Sequence, residues 1–262
     1  MKIKKSIVLE FVFLFTFLLA CSTYHGPTIS DNPTCIITHP LNKHEYEGRD
    51  SVFFRYTDIG GENTNIPEWS FAIIPSLEKV RLSPQITSIN DNAFFSCKNL
   101  SVINLDYITI IGENCFKFSA IESLRLPKTR IINEYAFANC EKLKIVVLSN
   151  QIDQIGDFAF YSDTSLVECI IPSGKIGACA FMGCSKLERL SIDSITIINR
   201  AAFLDCRSLS SITIPPTVLE IGDLAFSGCD NLKNITVCSR KTKISDSAFD
   251  KNIQIKYIED DE

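Results

Sequence analysis

Histidine is scarce in this chain and stops early: the only three are His25, His39 and His44. A cysteine–histidine nucleophile is therefore excluded from everything beyond residue 44. No C-x-x-C, G-x-x-x-x-G-K-[ST], G-x-S-x-G or H-E-x-x-H occurs, which removes the phosphate loop, the hydrolase elbow and the zinc-protease helix. With 11 glycines and 10 prolines the chain is not a low-complexity filament. It also lacks a basic excess, since 26 Lys and Arg face 31 Asp and Glu for a net charge of −5. Nucleic-acid binding, which needs a basic stripe, is not expected. The apolar run Phe11–Ala20, preceded by Glu10, is shorter than the roughly 20 residues of a membrane-spanning helix.

What the chain has in abundance is one line of sequence. Ile221–Val237 reads I-G-D-L-A-F-S-G-C-D-N-L-K-N-I-T-V, and Ile198–Ile214 and Ile132–Leu148 read almost the same. The pattern I-[GN]-x-x-A-F-x-x-C-x-x-L-x-x-[IV]-x-[ILV] returns every 21 to 23 residues. Its phenylalanines are Phe71, Phe94, Phe116, Phe137, Phe160, Phe181, Phe203, Phe226 and Phe249. A fixed period in this range means a repeat solenoid in which each turn is too poor in apolar residues to fold alone.

Counted from the Phe, isoleucine stands at −5, leucine at +6 and aliphatics at +9 and +11. The last two alternate with polar positions, the period-two mark of a short strand. The Ala-Phe segment predicts a short helical or 3-10 turn. The Gly or Asn after the repeat isoleucine (Gly112, Gly156, Gly177 and Gly222; Asn90, Asn133 and Asn199) predicts a bend wanting positive φ. Proline after the strand, at Pro127, Pro172 and Pro215, predicts that the chain leaves the sheet there. The turn around Phe116 is one residue short and carries Ser119 where others have cysteine; the last turn places Ile253 and Ile255 early.

At these residues the sequence resembles the BspA-like class of leucine-rich repeat, over about residues 66–258. The resemblance implies a right-handed leucine-rich-repeat coil of about nine turns and a surface role in adhesion or protein binding.

Residues 1–20, with a basic head at Met1–Lys5 and the apolar stretch to Ala20, predict a secretory signal peptide. Leu18-Leu19-Ala20-Cys21 resembles a bacterial lipobox, which implies acylation of Cys21 and attachment to the membrane, the outer membrane by expectation. An ordinary cleavable signal near Ala20 is the alternative. Residues 21–33 then read as a tether with turn signals at Gly26-Pro27 and Asp31-Asn32-Pro33. Residues 34–65 carry strand candidates at Thr34–Thr38 and Ser51–Tyr56 but no repeat signature, and read as an N-terminal cap. Residues 259–262 are an acidic tail. Cys35, His39 and His44 match no standard zinc spacing, and neither metal nor cofactor is expected.

Cys97, Cys140, Cys184, Cys206 and Cys229 share one repeat position, which favours a free, buried thiol column over disulfides. Cys35 and Cys238 are the exceptions best suited to a bridge in an exported protein. Asp91, Glu113, Glu134, Asp157 and Asp223 fall on exposed repeat positions and read as a solvated face.

The outward strand residues lie at +8 and +10. Most pairs are polar or charged, but Ile145, Val147 and Ile170 are apolar, and Arg125, Glu168 and Arg189 flank them. An apolar centre with a charged rim is how protein interaction sites are built; the bland alternative is that β-branched residues merely suit a sheet. The expected function is non-enzymatic: binding of a protein ligand, from a host or neighbouring cell, through the sheet face. The alternative is a structural or assembly component of the cell envelope.

Overall fold

The computed structural model describes residues 34–37, 56–251 and 253–258. The signal peptide, Cys21 with its tether, His39, His44 and the acidic tail lie outside the described residues. The chain winds as a parallel β-solenoid with about 22 residues per turn. Each turn lays down one strand in each of two ribbons. The front ribbon is built from the +8 to +11 segments, such as Lys79–Leu82, Ser123–Leu126, Ile145–Leu148, Ser211–Ile214 and Asn234–Val237. The back ribbon uses the residues around the repeat isoleucine, such as Ser88–Ile89, Ile131–Ile132, Gln154–Ile155 and Glu220–Ile221. Two long strands, Glu168–Ile176 and Arg189–Ile198, run from one ribbon into the other.

Alternation does what period two requires. Lys79–Leu82 and Ser123–Leu126 each read exposed, buried, exposed, buried. Between the ribbons the nine phenylalanines form one stack, with successive centroids 4.9–5.4 Å apart and ring planes within 13°. Burying each should contribute roughly 1.5–3 kcal/mol.

The Phe corner corrects one expectation. No helix forms there among the described residues; the segment is a chain of tight turns. The cause is local: from Phe71 to Phe226 the residues two before and two after the Phe both lie in the left-handed region, as with Asn92 (φ 58) and Ser96 (φ 58) around Phe94. Helical sense cannot persist through two such reversals. The corner instead gains a ladder of its own, because the Phe N–H donates to the carbonyl just before the next Phe, as from Phe116 to Ala136 at 2.7 Å.

The glycine expectation is corrected as well. Gly112, Gly156, Gly177 and Gly222 do not have positive φ. They are glycine because the preceding coil is too close: a Cβ on Gly112 would lie 2.5 Å from the Asn90 carbonyl carbon, and one on Gly177 would lie 2.6 Å from that of Gly156. Pro172 does not end a strand either. It sits inside Glu168–Ile176, where the ladder passes from Ile171–Ile192 to Ser173–Ser194. Pro127 and Pro215 do follow strands.

At the N-terminal end, Thr34–Ile37 and Tyr56–Ile59 run parallel and in register with Lys79–Leu82. The described part of the expected cap thus extends the coil, occupying the N–H and C=O groups of the first repeat strand. At the other end Ile255–Tyr257 pairs with Ile235–Val237, and Ile253 and Ile255 pack against the core.

Candidate protein-binding face

The front ribbon places the six candidate residues on two adjoining rows. One row runs Ser123, Ile145, Glu168, Arg189, and the next runs Arg125, Val147, Ile170, Ser191. Val147 and Ile170 stand directly opposite each other on paired strands. Ile145 is 41% exposed, and Val147 and Ile170 are half-buried. Their inward neighbours Val146, Cys169 and Ile171 are fully buried, so the strands that carry the patch are anchored in the core.

On the rim, Arg189 Nη2 donates to Glu168 Oε2 at 2.8 Å. That carboxylate, by hydrogen bond and charge, raises the Arg189 guanidinium above its ordinary value. Arg125 stands in register with Val147 on the other side and is exposed. The result is an apolar strip with a cation at one end and an ion pair at the other.

The repeat cysteines carry no such chemistry. Cys97, Cys140, Cys184, Cys206 and Cys229 are buried and free. Each thiol donates to the carbonyl of the preceding coil's repeat Phe, at 2.9 Å from Cys97 to Phe71 and 3.3 Å from Cys206 to Phe181. Burial pushes Cys97 and Cys229 up to about 12 and the others also upward, so none supplies a thiolate at neutral pH. Cys238, one candidate for a bridge, is free as well. Among the described residues no group of three His, Cys, Asp or Glu is placed to hold a metal.

Sequence reasoning overlooked one member of this column. Asp163 stands three residues after Phe160, where Cys140 and Cys184 stand in the neighbouring coils, and it is fully buried. Spacing alone would have located it; the charge disguised it as a surface residue. The expected solvated acids also do more than meet water: Asp91 Oδ1 accepts from the Glu113 N–H and Asp157 Oδ1 from the Ala178 N–H, both at 2.7 Å.

A family model described as the BspA type leucine rich repeat region matches residues 64–188 and 174–260 in six copies. No curated protein matches the chain. Among solved structures, a leucine-rich repeat protein from Bacteroides ovatus is 19% identical, covering 89% of this chain and 94% of its own, with a TM-score of 0.38. A leucine-rich cell surface protein from Faecalibacterium prausnitzii is 21% identical over 92% of this chain and 87% of its own, with a TM-score of 0.38. A leucine-rich repeat protein from T. pallidum is 22% identical over 70% of this chain and 72% of its own, with a TM-score of 0.39.

Proposed function

The chain belongs to the BspA-type leucine-rich repeat proteins, and on that premise we propose that it is an exported, lipid-anchored surface protein that binds another protein through its front ribbon. The observation that carries the reading is the juxtaposition of Ile145, Val147 and Ile170 on neighbouring strands, beside Arg125 and the Glu168–Arg189 pair. Interfaces gain most from an apolar centre already held in place, because little side-chain freedom is then lost on binding. Here the strand ladders and the buried Val146, Cys169 and Ile171 supply that rigidity. Export and anchoring rest on the leader and on Cys21.

The test replaces Ile145, Val147 and Ile170 together with threonine, which keeps β-branching while removing apolar surface. The Ser22–Glu262 chain, native and triply substituted, serves as bait against surface proteins of neighbouring and host cells. A partner retained by the native chain and lost by a variant that melts normally supports the reading; undiminished retention sinks it. A native chain that retains nothing favours the envelope-structural alternative. Separately, Cys21→Ala should abolish metabolic labelling by a fatty acid, and equal labelling would remove the lipid anchor.

A further inference from the structure

The Phe corner has an outer surface distinct from the front ribbon. From Phe71 to Phe226 the left-handed residues on either side of the Phe turn the larger side chains at −2, +1 and +2 away from the Phe stack, while the small Ala72, Ala138 and Ala201 at these positions are buried. From residue 69 to residue 161 these positions are rich in aromatics: Trp69, Phe95, Phe118, Tyr135, Phe158 and Tyr161. They touch in sequence. Phe95 lies 6.0 Å from both Trp69 and Phe118, Tyr135 stacks on Phe158 at 4.8 Å, and Phe158 meets Tyr161 at 5.9 Å. Lys117 closes the gap, 5.6 Å from the Phe118 ring and 4.5 Å from that of Tyr135. Phe118 is 39% exposed and the other rings are half-buried. In the later coils the same positions hold Cys179, Met182, Ala201, Leu204 and Leu224.

A line of carboxylates runs beside this strip. Asp91, Glu113, Glu134 and Asp157 occupy the −3 position of four consecutive coils and, with Asn133, Gln154 and Gly156, line a groove of about 240 Å³. Among the described residues none of the four has a basic ion-pair partner. Glu68 holds the same position in the preceding coil, and the run is broken after Asp157 by Ala178 and Arg200 before Asp223. The acidic run and the aromatic run therefore belong to the same coils.

We propose that this corner docks an amphipathic α-helix of a partner protein, laid along the solenoid axis, with a Lys or Arg stripe on the carboxylates and an apolar stripe on the aromatics. Charge complementarity sets the sign, and spacing sets the shape. Successive coils, measured by the Phe rings, are 4.9–5.4 Å apart, and an α-helix advances about 5.4 Å per turn. A helix in that orientation presents one cation per turn to one carboxylate per coil, and four carboxylates need about three turns, or about 11 residues. An extended strand repeats every two residues at about 6.8 Å and falls out of step. A glycan is disfavoured because the ring faces are already used: Tyr135 and Phe158 cover each other, and Lys117 stands over Tyr135.

The experiment uses purified native protein and a labelled synthetic helix of about four turns, with Lys at i, i+4, i+7 and i+11 and Leu on the adjoining stripe. Fluorescence anisotropy should show salt-sensitive binding. Glu113→Gln with Glu134→Gln should weaken it about tenfold or more, as should Phe118→Ser with Tyr161→Ser, and a composition-matched scrambled peptide should be weaker by a similar factor. The front-ribbon triple variant should bind the peptide as the native chain does, which separates this surface from the one proposed above. The proposal is overturned by no binding, by equal binding of the scrambled peptide, or by indifference to both pairs of substitutions. Retention of a cello-oligosaccharide that needs the aromatics and ignores the carboxylates would overturn it in favour of a glycan.

Discussion

The backbone N–H of Cys140 donates to Asp163 Oδ1 at 2.7 Å, across one coil boundary and inside the buried thiol column. The other oxygen, Oδ2, has no hydrogen-bond partner among the described residues. Burial pushes this carboxyl well above the ordinary carboxylate range, with the Cys140 N–H opposing the shift. A folded-state value above the unfolded one means that the proton stabilises the fold. That contribution is complete below the unfolded value of about 4 and is lost as pH rises toward the folded one, by at most about 1.4 kcal/mol per pH unit.

Asp163→Cys, which restores the column residue, should therefore stabilise the protein at about pH 7, and the gain should shrink toward about pH 4.5. Denaturant melts at the two pH values measure it. An equal gain at both would mean that the carboxyl is not a proton-linked burden on the fold.

Phe181 is fully buried, with Phe160 at 4.9 Å on one side and Phe203 at 5.2 Å on the other. Phe181→Ala should cost about 3–5 kcal/mol. Phe249 is only partly buried and stacks on Phe226 alone among the described residues, so Phe249→Ala should cost less. Thermal melts in the reverse order would mean that the stack is not continuous.

Two glycines should respond oppositely. Gly177→Ala drives a Cβ to within 2.7 Å of backbone atoms of the preceding coil, an overpacking that should cost about 1–3 kcal/mol or more. Gly183 has φ 79, but Asn139 holds the same repeat position at φ 59, and Asn accepts that region readily. Gly183→Asn should stay within about 1 kcal/mol of the native chain. Chemical denaturation of the pair decides between backbone crowding and backbone freedom as the reason for each glycine.

Alkylation with mass mapping should label the half-buried Cys179 and Cys238 well before Cys97, Cys140, Cys184, Cys206 or Cys229. The ladder thiols should react only on unfolding, since burial both shields them and keeps them protonated. Early labelling of Cys206 would show that the column opens in the native state.

The sequence by itself determined the coil, its period and the side each residue faces. A unit repeated every 21 to 23 residues must stack like on like, and strand alternation then sends +9 and +11 inward and +8 and +10 outward. That is why Ile145, Val147 and Ile170 are legible in the sequence as one outward patch. Tertiary structure alone decided what depends on the distance between coils. The glycines after the repeat isoleucine answer to the backbone of the coil before them, and the thiols to the carbonyl of the preceding repeat Phe. The ladder at the Phe corner is likewise a matter between coils, since the Phe N–H groups from Phe71 to Phe226 each reach forward to the next one. The aromatic strip was invisible for the same reason: Phe118 and Tyr135 occupy different repeat positions, and only stacking brings Lys117 between their rings.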